Sequence, residues 1–243
     1  MKSIIEKKIM DDIIDYKSLL QPHELLDDDL IRLGSNGDGG YVVPKKAIEN
    51  CNLLISLGVG TNCSFDLAYI NRNKNAKVIF YDGTVDSVPN YSAFRKDSFD
   101  FKRENISEEN VANILEASTE EYFLKMDIEG GEYSLLFIEN PKDVLRNCRC
   151  IATEIHWIDD KNNKFANLMR LFELANFKIV HLHGNVCGGT FSYNGLNIPK
   201  VIELTFLKKE YVGEKKNSTF PISGLDFANM HWRKDIAIDW YSK

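Results

Sequence analysis

From Leu53 onward, short apolar runs alternate with amphipathic stretches, and this alternation restricts the fold of the chain more than any other feature. Apolar runs at 53–57, 77–82 and 122–127 predict strands, each followed by helical periodicity at 64–73, at 108–117 and from Glu132. Beyond them the pattern gives strand 150–157, helix 164–174, strand 177–183 and strand 200–208. Strands separated by helices pair in parallel, because parallel neighbours need a long crossover connection. The last two strands are instead joined by a turn-rich loop at 184–199, which permits antiparallel pairing of the final strand.

The expected architecture is an α/β, Rossmann-like sheet, mostly parallel, with helices on both faces. A single domain over 1–243 is expected, with an N-terminal helical extension and Gly-rich loop (1–50), a core (51–210) and a C-terminal tail (211–243). In the extension, Ile4, Ile5, Ile9, Ile13, Ile14 and Tyr16 recur at three- and four-residue spacing, as on an amphipathic helix packed against a larger body.

Composition narrows the function classes. With 44% hydrophobic and 27% charged residues the chain can bury a core. Its 36 acidic against 30 basic residues give a net charge of −6, and no Lys/Arg block is present to follow a phosphate backbone, so no nucleic-acid partner is expected. The N-terminus lacks the uninterrupted apolar stretch of a signal peptide and no later segment approaches membrane-spanning length, which predicts a cytoplasmic protein. The five cysteines are odd in number and contain no CxxC pair, so they read as reduced thiols. Cys148 and Cys150 share one face of a strand, but two thiols alone make a poor zinc site.

Two motifs carry chemistry. Leu57-Gly58-Val-Gly60 lies between an apolar strand and a helix start with Asn62 or Ser64 as cap, which is where an α/β sheet lets backbone approach a ligand. Asp82, about twenty residues on at the end of the next strand, is placed to accept hydrogen bonds from ribose hydroxyls. A dinucleotide fingerprint wants a third small residue where Cys63 stands. S-adenosylmethionine, with a ribose and an amino-acid tail but no phosphate, fits the shorter loop better.

The second motif is Leu124-Lys-Met-Asp127-Ile-Glu-Gly-Gly-Glu132, a strand ending in a carboxylate before a Gly-rich turn. On the next strand Glu154 and His156 share a face, as do His181 and His183 on the one after. Asp127 and Glu154 with His156 or His183 form an oxygen and nitrogen set suited to Mg²⁺ or Mn²⁺; alternatively Glu154 and His156 satisfy each other as a buried pair. A histidine beside a carboxylate also suits proton acceptance.

Taken with Arg32-x-Gly34, Asp38-Gly-Gly-Tyr-Val-Val43, Ser64-Phe-Asp66, Tyr81-Asp82-Gly-Thr, Thr153-Glu-Ile-His156, His181-Leu-His-Gly-Asn185, Ile198-Pro and Glu203-Leu-Thr205, these motifs resemble the FkbM-type family of S-adenosylmethionine-dependent methyltransferases. The resemblance spans most of the chain. It implies a class I methyltransferase fold, a seven-stranded sheet with its last strand antiparallel. It also implies O-methylation of a hydroxyl on a sugar or sugar nucleotide, which in a chain rich in Lys, Asn and Ile suggests bacterial capsule or lipopolysaccharide biosynthesis.

Carried onto this sequence, Gly58 and Gly60 line the cofactor's amino-acid tail, Asp82 holds its ribose, and Ser98 and Phe99 face adenine. Asp127 sits at the methyl-transfer edge as both a cofactor-binding and a catalytic residue, with His156 or His183 as the base and Asp127, Glu154 and His183 as the metal set. A small-molecule acceptor is implied, and assembly into a homo-oligomer is compatible with the sequence. The tail at 224–232 departs from the proline-containing version expected of the family. Two alternatives use the same features: an NAD-dependent oxidoreductase of nucleotide sugars, against which Cys63 argues, and a non-catalytic cofactor-binding module.

Overall fold

The structure, a computed structural model, describes residues 14–241. Positions Ile4, Ile5, Ile9 and Ile13 of the expected N-terminal helix lie outside the described residues. Its remaining part is a single turn, α1 (Tyr16–Leu19), capped by the Asp15 carboxylate, which accepts from the Ser18 N–H. The buried Tyr16 ring packs on Phe165, Phe191 and Tyr193, and its hydroxyl donates to the Ile158 carbonyl (2.9 Å).

Strand β1 (His23–Leu25) leads to the hairpin β2 (Leu30–Leu33) and β3 (Tyr41–Pro44), then helix α2 (Lys45–Asn50). The core follows as β4 (Leu53–Leu57), α3 (Ser64–Arg72), β5 (Lys77–Tyr81), β6 (Phe99–Lys102), α4 (Val111–Glu116), β7 (Tyr122–Met126), α5 (Pro141–Val144), β8 (Cys148–Ile155), α6 (Lys164–Leu174) and β9 (Phe177–Gly184). A small hairpin of β10 (Thr190–Tyr193) and β11 (Leu196–Pro199) precedes β12 (Ile202–Lys208) and β13 (Val212–Lys215), the latter pairing with β1.

Seven strands form one sheet in the order β6-β5-β4-β7-β8-β12-β9. All its pairings are parallel except those of β12, which runs antiparallel to both β8 and β9. This is the class I methyltransferase arrangement. Every residue of β7 is buried, as expected of a central parallel strand covered on both faces. Two apolar clusters fill the two sides, one including Leu124, Met126, Phe165 and Phe172, the other Tyr41, Phe65, Tyr69 and Phe123.

Three local expectations are corrected. The segment after Glu132 is a 3₁₀ stretch, Gly131–Phe137, because the buried Glu132 carboxylate folds back to accept the N–H groups of Ile128 and Gly130 (both 2.9 Å) at the start of the turn. Strand β6 was not expected; its Phe-Asp-Phe-Lys alternation occupies the sheet edge, where half-burial weakens the apolar signal. The loop at 184–199 contains a hairpin turning at Asn194-Gly195, both at positive φ as such two-residue turns require.

Candidate active site

Parallel topology brings the carboxyl ends of β4, β5, β6, β7 and β8 to one edge, where such sheets bind ligands. A cavity of about 420 Å³ opens there, lined by the turns after β4, β5, β6 and β7 together with Asp38 and Gly39 of the Gly-rich loop. Gly58 and Gly60 form its floor. Gly58 (φ +77°) lies so close to the turn after β7 that a Cβ would overlap the Asp127 carbonyl, whereas a Cβ on Gly60 (φ +50°) would meet nothing within 4 Å. Gly58 therefore serves the closure of two turns, and Gly60 leaves open space beside the backbone.

Asp82 lines the cavity as a latch between turns. Its Oδ2 accepts the N–H groups of Val59 (3.0 Å) and Gly60 (2.8 Å), and Oδ1 accepts the Thr84 N–H (2.7 Å) and hydroxyl (2.6 Å). Burial pushes its pKa up, but these hydrogen bonds outweigh burial and hold the carboxyl below its ordinary value. All four lone-pair positions are thus occupied by protein, and a ribose hydroxyl would have to share or displace the Thr84 hydroxyl.

Ser98 and Phe99 do not face the cavity. Phe99 begins β6 at the opposite end of the sheet and Ser98 immediately precedes it, with the Ser98 hydroxyl donating to the Arg95 carbonyl and Phe99 packed on Phe80 and Phe94. The cavity wall beyond β6 is made by Glu104, Asn105 and Ile106, which sequence reading missed with the strand that carries them.

Asp127 closes the far side, and its Oδ2 accepts the hydroxyl of the buried Tyr41 (3.1 Å). Burial, then the charges of Asp127, Glu154 and Glu203, raise the Tyr41 pKa well above its usual value, so it remains a donor. Beyond Asp127 lies His156, whose Nδ1 faces the fully buried Glu132 (3.3 Å) and whose Nε2 faces Glu129 (3.3 Å) and Glu154 (3.2 Å). Burial opposes its charge, but Glu132 and Glu154 prevail and lift its pKa to about 10. Burial, with Asp127 and Glu203 nearby, raises that of Glu154 to about 7, although its Oε2 accepts from Asn185 (2.9 Å). Flanked by three carboxylates, the ring is held toward its charged form when no cation is bound, which weighs against the expectation that His156 takes a proton from the acceptor.

His183 is corrected in both of its expected roles, as base and as metal ligand. It is buried outside the cavity wall, with Nδ1 on Glu203 (3.0 Å) and Nε2 on Asp235 of the tail (2.8 Å), so neither nitrogen is free. His181 similarly holds Asp226. The tail is thus tied to the sheet by two histidine–carboxylate contacts, although its sequence departs from the family pattern.

Asp127, Glu154 and His183, the metal set expected from sequence, are not brought together; among the described residues it is Asp127, Glu129 and His156 whose potential ligating atoms lie within 4.8 Å of one another. The donor types, two carboxylates and an imidazole whose second nitrogen is oriented by a buried carboxylate, are those of a hard divalent cation site, in which the cation would displace the proton from Nε2.

The cavity also fits S-adenosylmethionine. Its wall carries the carboxylates of Asp38, Asp82, Glu104, Asp127 and Glu129 against the single ammonium of Lys125, itself bound to the Gly58 carbonyl. That balance suits a ligand bearing ammonium and sulfonium charges, and the open side of Gly60 admits its tail.

Comparison with known proteins agrees. The methyltransferase FkbM domain matches residues 27–179. The chain belongs to this family. The match supports S-adenosylmethionine-dependent methyl transfer in place of the oxidoreductase alternative. No curated protein matches the sequence. Similar solved structures include a fibrillarin pre-rRNA processing protein of Methanococcus jannaschii (12% identity, 82% of this chain and 87% of that one, TM-score 0.41). A second is an rRNA methylase from Streptococcus thermophilus (16%, 68% and 90%, 0.39). A third is magnesium protoporphyrin IX methyltransferase from Synechocystis PCC 6803 (12%, 65% and 70%, 0.38). Among the described residues no helix is long and apolar enough to cross a membrane.

Proposed function

We propose that this methyltransferase transfers the methyl group to oxygen, on a hydroxyl of a sugar or sugar nucleotide, in the assembly of a bacterial surface polysaccharide. The observation that supports this best is a polar cluster at one side of the cofactor cavity, where Asp127 and Glu129 line the wall and His156 and Glu154 stand behind them. A neutral hydroxyl is a poor nucleophile, and its proton must leave as the new C–O bond forms. Bound S-adenosylmethionine supplies an electrophilic methyl group, so the chain has only to align the hydroxyl and manage its proton.

Asp127 is the proposed proton acceptor. It lines the cavity, and Tyr41 fixes one of its oxygens by donating to it. A divalent ion would be held by Asp127, Glu129 and His156 and would acidify the hydroxyl. Glu132, which accepts two backbone N–H groups and faces Nδ1, keeps Nε2 turned toward Glu129 and Glu154. Acidic surroundings at this edge disfavour a polyanionic nucleic acid and, of the two acceptor forms, favour the uncharged sugar over the sugar nucleotide unless a bound cation offsets its phosphates.

The test is methyl transfer to a saccharide panel by enzyme stripped with EDTA and confirmed metal-free, then re-supplied with Mn²⁺ or Mg²⁺. Loss and recovery of activity are expected. Full activity without metal removes the ion from the reading, and methylation of RNA or amines in place of saccharides removes the acceptor class. Asp127→Asn is expected to lower kcat about 10²-fold or more while S-adenosylhomocysteine affinity changes little, as calorimetry would show.

A further inference from the structure

Among the described residues, eight non-glycine positions have positive φ. Six are Asn or Asp, the side chains that tolerate left-handed backbone. The two exceptions are Glu129 (φ +55°) and Trp157 (φ +57°), and both adjoin His156, one across a 3.3 Å contact and the other in sequence. For a bulky ring this conformation is strained, and strain of that kind persists only where the surroundings impose it.

At Trp157 they do. The Tyr133 hydroxyl donates to the His156 carbonyl (2.7 Å), the Ile158 N–H donates to Lys200 (3.0 Å), and the Ile158 carbonyl accepts from Tyr16 (2.9 Å). The result is a large aromatic side chain, 56% exposed, between two buried neighbours. Its indole lies beside Gly130, where a Cβ would stand 3.4 Å from Nε1, and so borders the turn that carries Asp127 and Glu129. Core packing gains little from a residue so exposed, and the strained backbone instead presents the ring beside that turn.

An aromatic face next to carboxylates matches the two sides of a saccharide ring. The slightly positive C–H hydrogens of one face pack on the negative π-face, while hydroxyls on the edge donate to carboxylate oxygens. We propose that Trp157 is the acceptor platform, stacking on the C–H face of a saccharide ring so that one hydroxyl reaches Asp127. This rests on the sugar reading above and adds the residue that selects the ring.

The full-length protein with Trp157→Asn or Trp157→Phe tests it by two independent readouts. In ligand-free thermal melts Trp157→Asn is expected to melt about 2–4 °C above the parent, because Asn tolerates this backbone and the strain is relieved. A lower melting point would make the ring a structural support and overturn the proposal. In methyl transfer to methyl hexosides and uridine-diphosphate hexoses, Trp157→Asn is expected to raise KM for an accepted sugar at least tenfold with kcat within about threefold, and Trp157→Phe to restore most of the loss. An unchanged KM overturns the platform and leaves the sugar reading standing. If S-adenosylhomocysteine binds but no saccharide is methylated, the sugar reading fails and the platform fails with it.

Discussion

The two halves of the binding edge are built differently. In the cofactor half, the turns after β4 and β5 are joined by one carboxylate, Asp82, whose partners Val59, Gly60 and Thr84 are backbone groups or a neighbouring hydroxyl. In the other half, proposed above as the acceptor half, side chains from distant segments hold one another: His156 with Glu129, Glu132 and Glu154, and, behind the cavity wall, His183 with Glu203 of β12 and Asp235 of the tail. The first half depends on backbone conformation, which glycine and a single acid can specify within a short stretch. The second depends on charge balance among side chains that meet only once the sheet has formed.

That contrast can be broken most severely at Gly58. Gly58→Ala places a Cβ against the Asp127 carbonyl in a positive-φ position, and a loss of about 3 kcal/mol or more, seen as a collapsed thermal midpoint or an insoluble protein, is expected. A variant melting with the parent would show that the two turns are not held together by this close approach. Asp82→Asn sharpens the comparison with a smaller effect. It removes the charge that anchors the Val59 and Gly60 N–H groups, and S-adenosylhomocysteine affinity by calorimetry is expected to fall about tenfold, the worth of one charge-assisted hydrogen bond.

The smallest expected effect is in the acceptor half and depends on pH. Burial opposes charge on His183, but Asp235 and Glu203 prevail and lift its pKa to about 10. A histidine raised in the folded state contributes stability that is fully present below its unfolded pKa of about 6.5 and is lost as pH rises toward the folded value. The melting temperature should therefore decline between pH 7 and pH 10, and the decline should be shallower by a few degrees in His183→Gln. Parallel curves for the two proteins would mean that His183 carries no proton beyond the ordinary.

Legibility in the sequence followed the same division. The strands of the sheet core, Gly58, Gly60 and Asp82 were readable because apolar runs and Gly-rich turns report on backbone a few residues away. Strand β6 escaped notice at the sheet edge, and the cavity wall of Glu104 and Asn105 went with it, so Ser98 and Phe99, at the amino end of this parallel strand, stood in for residues beyond its carboxyl end. In the acceptor half, period-two alternation put Glu154 beside His156 and His181 beside His183. It could not say that β12 would insert between β8 and β9, setting Glu203 directly opposite both Glu154 and His183. Nor could it anticipate Asp235, 52 residues from His183 in sequence, on the second ring nitrogen.

The five-to-one excess of carboxylates over ammonium in the cavity wall has a consequence for turnover. S-adenosylmethionine enters with a net positive charge, and loss of its methyl group leaves a neutral thioether. The wall that attracts the loaded cofactor has correspondingly less hold on the spent one. Exchange of one for the other is thereby biased toward the next cycle without any moving part, and added salt, by screening the wall, narrows the difference.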